Sequence, residues 1–241
     1  MAALSALGLV ALAGLAPAAQ FGLSMTRIHL GPKRSVETVT LSNQEATPLA
    51  FEVHVKRWRQ DADGKWQLVP DDGLVVHPLI LRIDAGGDGK VRIGTLSPTV
   101  TAEAAYRIEL NEIPDRTQQF SGVRMLANIS VPVFVQPDAA APKLALAVAN
   151  VGAHEAKIEL RNVGTGYSEP GDASLRVLDA NGKAVHEARM TTNYVLAGAK
   201  IPLLASIPAG ACSRAASVEL KVGDAAPLVA PVSPETRRCA P

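Results

Sequence analysis

Apolar and polar residues alternate with a two-residue period along most of this chain, as in strands that bury one face. In LAFEVHVKRW, Leu49, Phe51, Val53 and Val55 fall on one side, with Glu52, His54 and Lys56 on the other. SVETVTLSN sets Val36, Thr38 and Thr40 against Glu37, Val39 and Leu41 before the breaker Ser42-Asn43. The Asp63-Gly64 pair in DADGKW predicts a type I′ hairpin turn leading into WQLV. LILRI and KVRIGTL flank the glycine-rich DAGGDG, and AYRIELNEIP follows. With the segment 121–137 this makes about seven short strands and hardly any helical period, which suggests an immunoglobulin-like sandwich.

The segment 121–137 reads as one long strand. Val123, Met125, Ala127, Ile129, Val131, Val133 and Val135 alternate with Arg124, Leu126, Asn128, Ser130, Pro132, Phe134 and Gln136. Pro132 has no N–H to give a central ladder, so at least the C-terminal half is expected on a sheet edge. A long apolar edge invites pairing with another chain. The plainer alternative is a final sandwich strand covered by a neighbouring domain.

QPDAAAPK, residues 136–143, has no period and reads as a linker. Strand patterns resume in LALAVAN, KIELRNVG, SLRVLDANGKAV (with an Asn181-Gly182 hairpin turn), KIPLLASIPAG and AASVELKVG. The expected organisation is a signal peptide over 1–18, an immunoglobulin-like domain over 19–137, a linker over 138–142 and a second β-sandwich over 143–241. The fold class is therefore all-β, two immunoglobulin-like sandwiches in series.

At 241 residues with 47% hydrophobic and 20% charged residues, the chain has material for two ordinary cores. Aromatic residues make up only 4%, and a net charge of +1 is spread along the chain, so a nucleic-acid surface is not expected. The first 20 residues are apolar and end in small ones, and Ala16-Pro17-Ala18 has the form of a signal-peptidase site. The apolar run falls short of the roughly 20 residues a membrane span needs, and no integral membrane segment is expected. Cys212 and Cys239, an even pair in an exported chain, are expected to form a disulfide.

Enzyme chemistry finds little support. His29, His54, His77, His154 and His186 are scattered, and no nucleophile elbow, H-E-x-x-H helix or phosphate loop occurs. No metal site, cofactor or catalytic residue is expected.

Three stretches resemble the periplasmic pilus-assembly chaperones of the PapD type. MTRIHLGP is similar to that family's first strand, YRIELNEIP (106–114) to its F1 strand, and NISVPVFVQP to the end of its G1 strand. The SVPVFV wording looks most like the archaic branch, associated with spore-coat-U-like subunits. The resemblance implies an L-shaped pair of domains in the periplasm, working with pilin-like subunits and an outer-membrane usher. A subunit lacking its last strand would be capped by the chaperone's G1 edge, with Val123, Met125, Ala127 and Ile129 as donors. It also implies that Arg27 anchors the subunit's C-terminal carboxylate, a task suited to a guanidinium. The lysine that partners this arginine in the family aligns with Ser130, a departure for which Arg92 and Arg107 are the candidate replacements. Self-pairing through the G1 edge is a further expectation. The rival reading is a secreted structural or adhesive tandem of immunoglobulin-like domains without chaperone activity.

Overall fold

The computed structural model describes residues 21–115 and 125–239. The expected signal peptide and Val123 lie outside them. The expected all-β architecture is found. In the first sandwich, β1 (Phe21–Leu23), β3 (Val36–Asn43), β8 (Asp88–Thr95) and β6 (Leu74–His77) make one sheet, in the order β1-β3-β8-β6. The facing sheet comprises β2 (Ile28–Leu30), β10 (Asn128–Val135), β9 (Ala104–Glu112), β4 (Leu49–Gln60) and β5 (Trp66–Pro70), with β7 (Ile80–Ile83) also on β4.

The alternation read from the sequence is what joins these sheets. Val39, Leu41, Val91 and Ile93 of the first sheet meet Phe51, Val53, Ile108, Leu110, Val131 and Val133 of the second, each at most 3% exposed. Burying an aliphatic side chain of this kind contributes roughly 1.5–3 kcal/mol. The second sandwich repeats the arrangement. Its sheets are β15 (Lys200–Ser206), β12 (Glu155–Asn162), β11 (Leu144–Gly152) and β18 (Arg237–Arg238), facing β14 (Ala184–Thr192), β13 (Gly171–Leu178), β16 (Ser217–Val222) and β17 (Leu228–Pro231). Ile158, Leu160, Leu175, Val177, Val218 and Leu220 form its core. The one helix among the described residues, α1 (Ala209–Cys212), carries Cys212, which is bonded to Cys239 as expected.

Two expectations are corrected. The Asp63-Gly64 loop is not a type I′ turn, because that turn needs positive φ at both central residues. Gly64 has φ +76°, and no described non-glycine residue has positive φ. Asp61 accounts for the difference: its Oδ1 accepts from the backbone N–H groups of Asp63 and Lys65, both at 2.9 Å, and folds the loop around itself. Asp179 does the same for Asn181 and Lys183, so DADGK and DANGK build one loop twice.

The long strand is the second correction. Residues 125–127 are not strand, and β10 starts at Asn128. Its C-terminal half is not an edge, because β2 pairs in parallel with Val133, Phe134 and Val135. The edge is the other half, 128–132, which among the described residues pairs on one side only, with β9. Pro132 ends this open stretch, where a missing N–H is tolerated.

Candidate functional site

One face of the β2-β10-β9-β4 sheet builds the first core; the other looks toward the second sandwich. On that outer face Phe134 stands beside Ala105 and His29 in register, two residues along β10 from Pro132 and its partner Arg107. Trp58, on the same side of β4 as Glu52, His54 and Lys56, is 1% exposed. It packs with Phe134, Ala105 and, from the second sandwich, Tyr167 and Leu196. Phe134 and Tyr167 stack with centroids 3.8 Å apart, and Tyr194 meets Trp58 edge-on at 5.1 Å. Both tryptophans, two of the three tyrosines and one of the four phenylalanines gather here, in a chain poor in aromatics.

Polar contacts fix the same junction. Gln60 Nε2 donates to the Tyr194 carbonyl at 2.8 Å, and Leu196 N–H donates to Gln60 Oε1 at 2.9 Å. Glu103 accepts from the Tyr167 N–H at 3.0 Å and from Gln136 Nε2 at 2.7 Å. Burial pushes the Glu103 carboxyl up to about 7, against those two hydrogen bonds, which favour its charge. A Cβ at Gly64 would lie 2.9 Å from Ile201 Cγ2, so the β4–β5 loop needs glycine for closeness as well as for φ.

Two guanidinium groups flank the aromatic layer. Arg107, paired in register with Pro132 and Lys56, is 7% exposed. Its Cζ lies 4.4 Å from the Trp58 ring and 4.5 Å from the Trp66 ring. Burial lowers its pKa, and Tyr194 and Glu109 offset this in part. Its Nη1 is 3.3 Å from the Ser130 carbonyl oxygen. Arg27 immediately precedes Ile28, which pairs with Val133, so the parallel register brings it beside Pro132 from the opposite side. Its Cζ lies 5.5 Å from the Tyr167 ring and 5.9 Å from that of Tyr194. Burial works against the Arg27 charge, but Tyr167, Tyr194 and Glu169 together outweigh it and raise the pKa.

Of the residues expected to donate, Met125 is 74% exposed, while Ala127 and Ile129 rest against the rim of the first core. Ala127 and Glu112 continue the β9–β10 ladder outward: Ala127 N–H donates to Glu112 Oε2, and Glu112 N–H to the Ala127 carbonyl, both at 2.9 Å. Arg92 lies on the other sheet, beside Thr38 and His77, and takes no part in this region. Sequence reasoning missed Trp58, Tyr167 and Tyr194. Its one available signal was that Trp58 and Phe134 occupy the otherwise polar phase of their strands. Among the described residues no cluster of three or more His, Cys, Asp or Glu side chains is placed to hold a metal, and no helix is long and apolar enough to cross a membrane.

Residues 20–141 match the family model described as "Pili and flagellar-assembly chaperone, PapD N-terminal domain". No curated protein matches the chain. Solved structures do. The class 5 fimbriae chaperone CfaA is 14% identical with a TM-score of 0.61, covering 87% of this chain and 97% of that one. A chain of the CsuC–CsuE chaperone–tip adhesion subunit complex, from the archaic Csu pili of Acinetobacter baumannii, is 18% identical with a TM-score of 0.59, covering 88% and 98%. A chain of the Salmonella enterica SafA pilin–SafB chaperone complex is 18% identical with a TM-score of 0.57, covering 89% and 97%. At these identities the likeness is one of fold, and it extends over both sandwiches.

Proposed function

We propose that this chain, which belongs to the PapD-type family of pili and flagellar-assembly chaperones, captures pilin-like subunits by lending them its open strand edge. The observation that carries this reading is the half-open β10. Residues 128–132 have, among the described residues, a strand partner on one side only, and the exposed Met125 leads into them in the same phase as Ile129, Val131 and Val133. A subunit with a strandless groove would add backbone hydrogen bonds along that edge and receive Val123, Met125, Ala127 and Ile129 as alternate side chains. Burial of the exposed Met125 would supply roughly 1.5–3 kcal/mol gross, with less from Ala127 and Ile129, which already rest against the first core, and from this the ordering and association costs are subtracted.

Arg27 would anchor the subunit's C-terminal carboxylate, and Arg107, lying against Ser130, would supply the second positive charge that the family's lysine gives. Both sit in the Pro132 row, where the donated edge ends and the aromatic layer begins. The captured subunit would then pass to an outer-membrane usher in the periplasm, with the energy coming from subunit folding. Domains over 19–137 and 143–241, linked by 138–142 and preceded by a signal peptide over 1–18, fit this reading. In the absence of subunit, the open edge would pair with a second copy of the chain. The Csu and Saf complexes, which join chaperones to a tip subunit and a pilin, favour this over a structural or adhesive tandem. The test is periplasmic co-purification with pilin-like gene products encoded nearby, wild type against Met125→Asp. A subunit that co-purifies and is lost on this change supports strand donation; no subunit with either form, despite its expression, rejects it.

A further inference from the structure

Arg27 is already engaged in the free protein. Its Nη1 donates to Oε1 of Glu169, and its Nη2 to the Tyr194 hydroxyl at 3.3 Å. Its Nε is enclosed and, among the described residues, has no partner. One N–H of each terminal nitrogen is thus engaged before any ligand arrives, and the Nη1 contact holds a carboxylate.

The two partners of this ion pair differ in how easily they leave it. The Arg27 side chain is 31% exposed and lies against Tyr167 and Tyr194, whereas that of Glu169 is 60% exposed. Glu169 can return to water at little cost, while Arg27 stays where β2 and the aromatic rings hold it. The backbone that delivers Glu169 is itself fixed. Ser168 and Val195 exchange hydrogen bonds of 2.9 and 3.1 Å, Asn162 Nδ2 donates to the Gly166 carbonyl at 2.7 Å, and Tyr167 is stacked on Phe134. The loop thus presents one displaceable carboxylate to the arginine that would bind another.

We infer that Glu169 is an internal stand-in for the ligand's carboxylate, which must displace it from Arg27 on binding. This rests on the reading of Arg27 as the anchor. Capture would then exchange one carboxylate for another, so Glu169 sets the affinity of the anchor by competing for it. An exposed ion pair is worth up to about 1 kcal/mol, which as a competing term is up to about fivefold in affinity.

The test uses the intact protein, with N-acetyl-L-phenylalanine as a carboxylate probe and N-acetyl-L-phenylalaninamide as its neutral control. Binding is read from the Arg27 side-chain Nε–H resonance in wild type and Glu169→Gln, and from backbone resonances of Ile28 and Tyr194 in Arg27→Ala and the double variant. Glu169→Gln should tighten carboxylate binding about two- to fivefold, leave the amide unchanged, and have no effect when Arg27 is absent. Carboxylate binding that is unchanged or weaker in Glu169→Gln, yet lost in Arg27→Ala, overturns the stand-in while leaving the anchor intact. Equal carboxylate binding by wild type and Arg27→Ala removes the anchor, and the stand-in with it.

Discussion

Arg107 reaches across one strand pair to Ser130, its Nη1 3.3 Å from the serine carbonyl oxygen, with its guanidinium against both Trp58 and Trp66, which themselves meet edge-on. A positive charge therefore lies over Ser130, carried by β9 rather than β10. Burial against two indole faces holds that charge in one place, as a flexible surface lysine would not be held. Arg27 approaches the same row from β2, so two cations on separate strands converge on Pro132.

Arg27→Ala and Arg107→Ala should each weaken capture of a cognate subunit by about 1–2 kcal/mol, or roughly tenfold. The loss at Arg27 is kept modest by partial exposure and by prior pairing with Glu169. Titration calorimetry with purified subunit complexes is the check. Unaltered affinity in Arg107→Ala would leave Ser130 without a substitute partner.

Met125→Asp should abolish subunit capture while leaving the melting temperature within about 2 °C of wild type, because an exposed side chain contributes little to the fold. Circular dichroism and co-purification measured on the same preparation separate the two effects. Capture at wild-type strength would reject the donor role.

Glu103 gives the domain junction a pH dependence of definite sign. Its carboxyl titrates at about 7 in the folded protein against 4.5 ordinarily, so between those values the folded state holds a proton that the unfolded state has lost. Stability from this group is full below about pH 4.5 and declines as pH rises toward 7 and slightly beyond. Glu103→Gln should flatten that decline and raise stability at pH 8 by about 1–3 kcal/mol. Urea denaturation at pH 5, 6.5 and 8 measures it; parallel pH profiles for the two proteins would show that Glu103 is not the group responsible.

Replacing Cys212 and Cys239 together by alanine should cost about 3–4 kcal/mol, since the bond closes a loop with a separation of 27 residues. Thermal unfolding should show the loss in the second sandwich first. Two titratable thiols in the exported wild-type protein would contradict the bond itself.

Much of the fold was legible because each buried strand carries its own record of which side faces inward. Phe51 and Val53, or Val131 and Val133, need only a two-residue period and a water-excluding neighbour to become core, and that information is local. Turn positions were legible for the same reason, although the turn type was not: Asp61 overrode the Asp63-Gly64 signal through a side-chain bond spanning four residues. The disulfide followed from there being two cysteines in a chain that reads as exported. The open edge was misassigned because β2 pairs with β10 across more than 100 residues of sequence. Periodicity says which way a side chain points but not which strand lies alongside.

From its residues the chain specified two β-sandwiches and an apolar alternation running into β10; Arg27 as a candidate anchor came only through the resemblance to the pilus chaperones. The chain's residues did not specify that Trp58, Phe134, Tyr167 and Tyr194 would meet, that Arg107 would lie over Ser130, or that Glu169 would take hold of Arg27. Those side chains come from different strands and loops of two sandwiches. Their meeting depends on how the sheets pair and how the two bodies pack, which is fixed by summed long-range burial rather than by any stretch of sequence read alone.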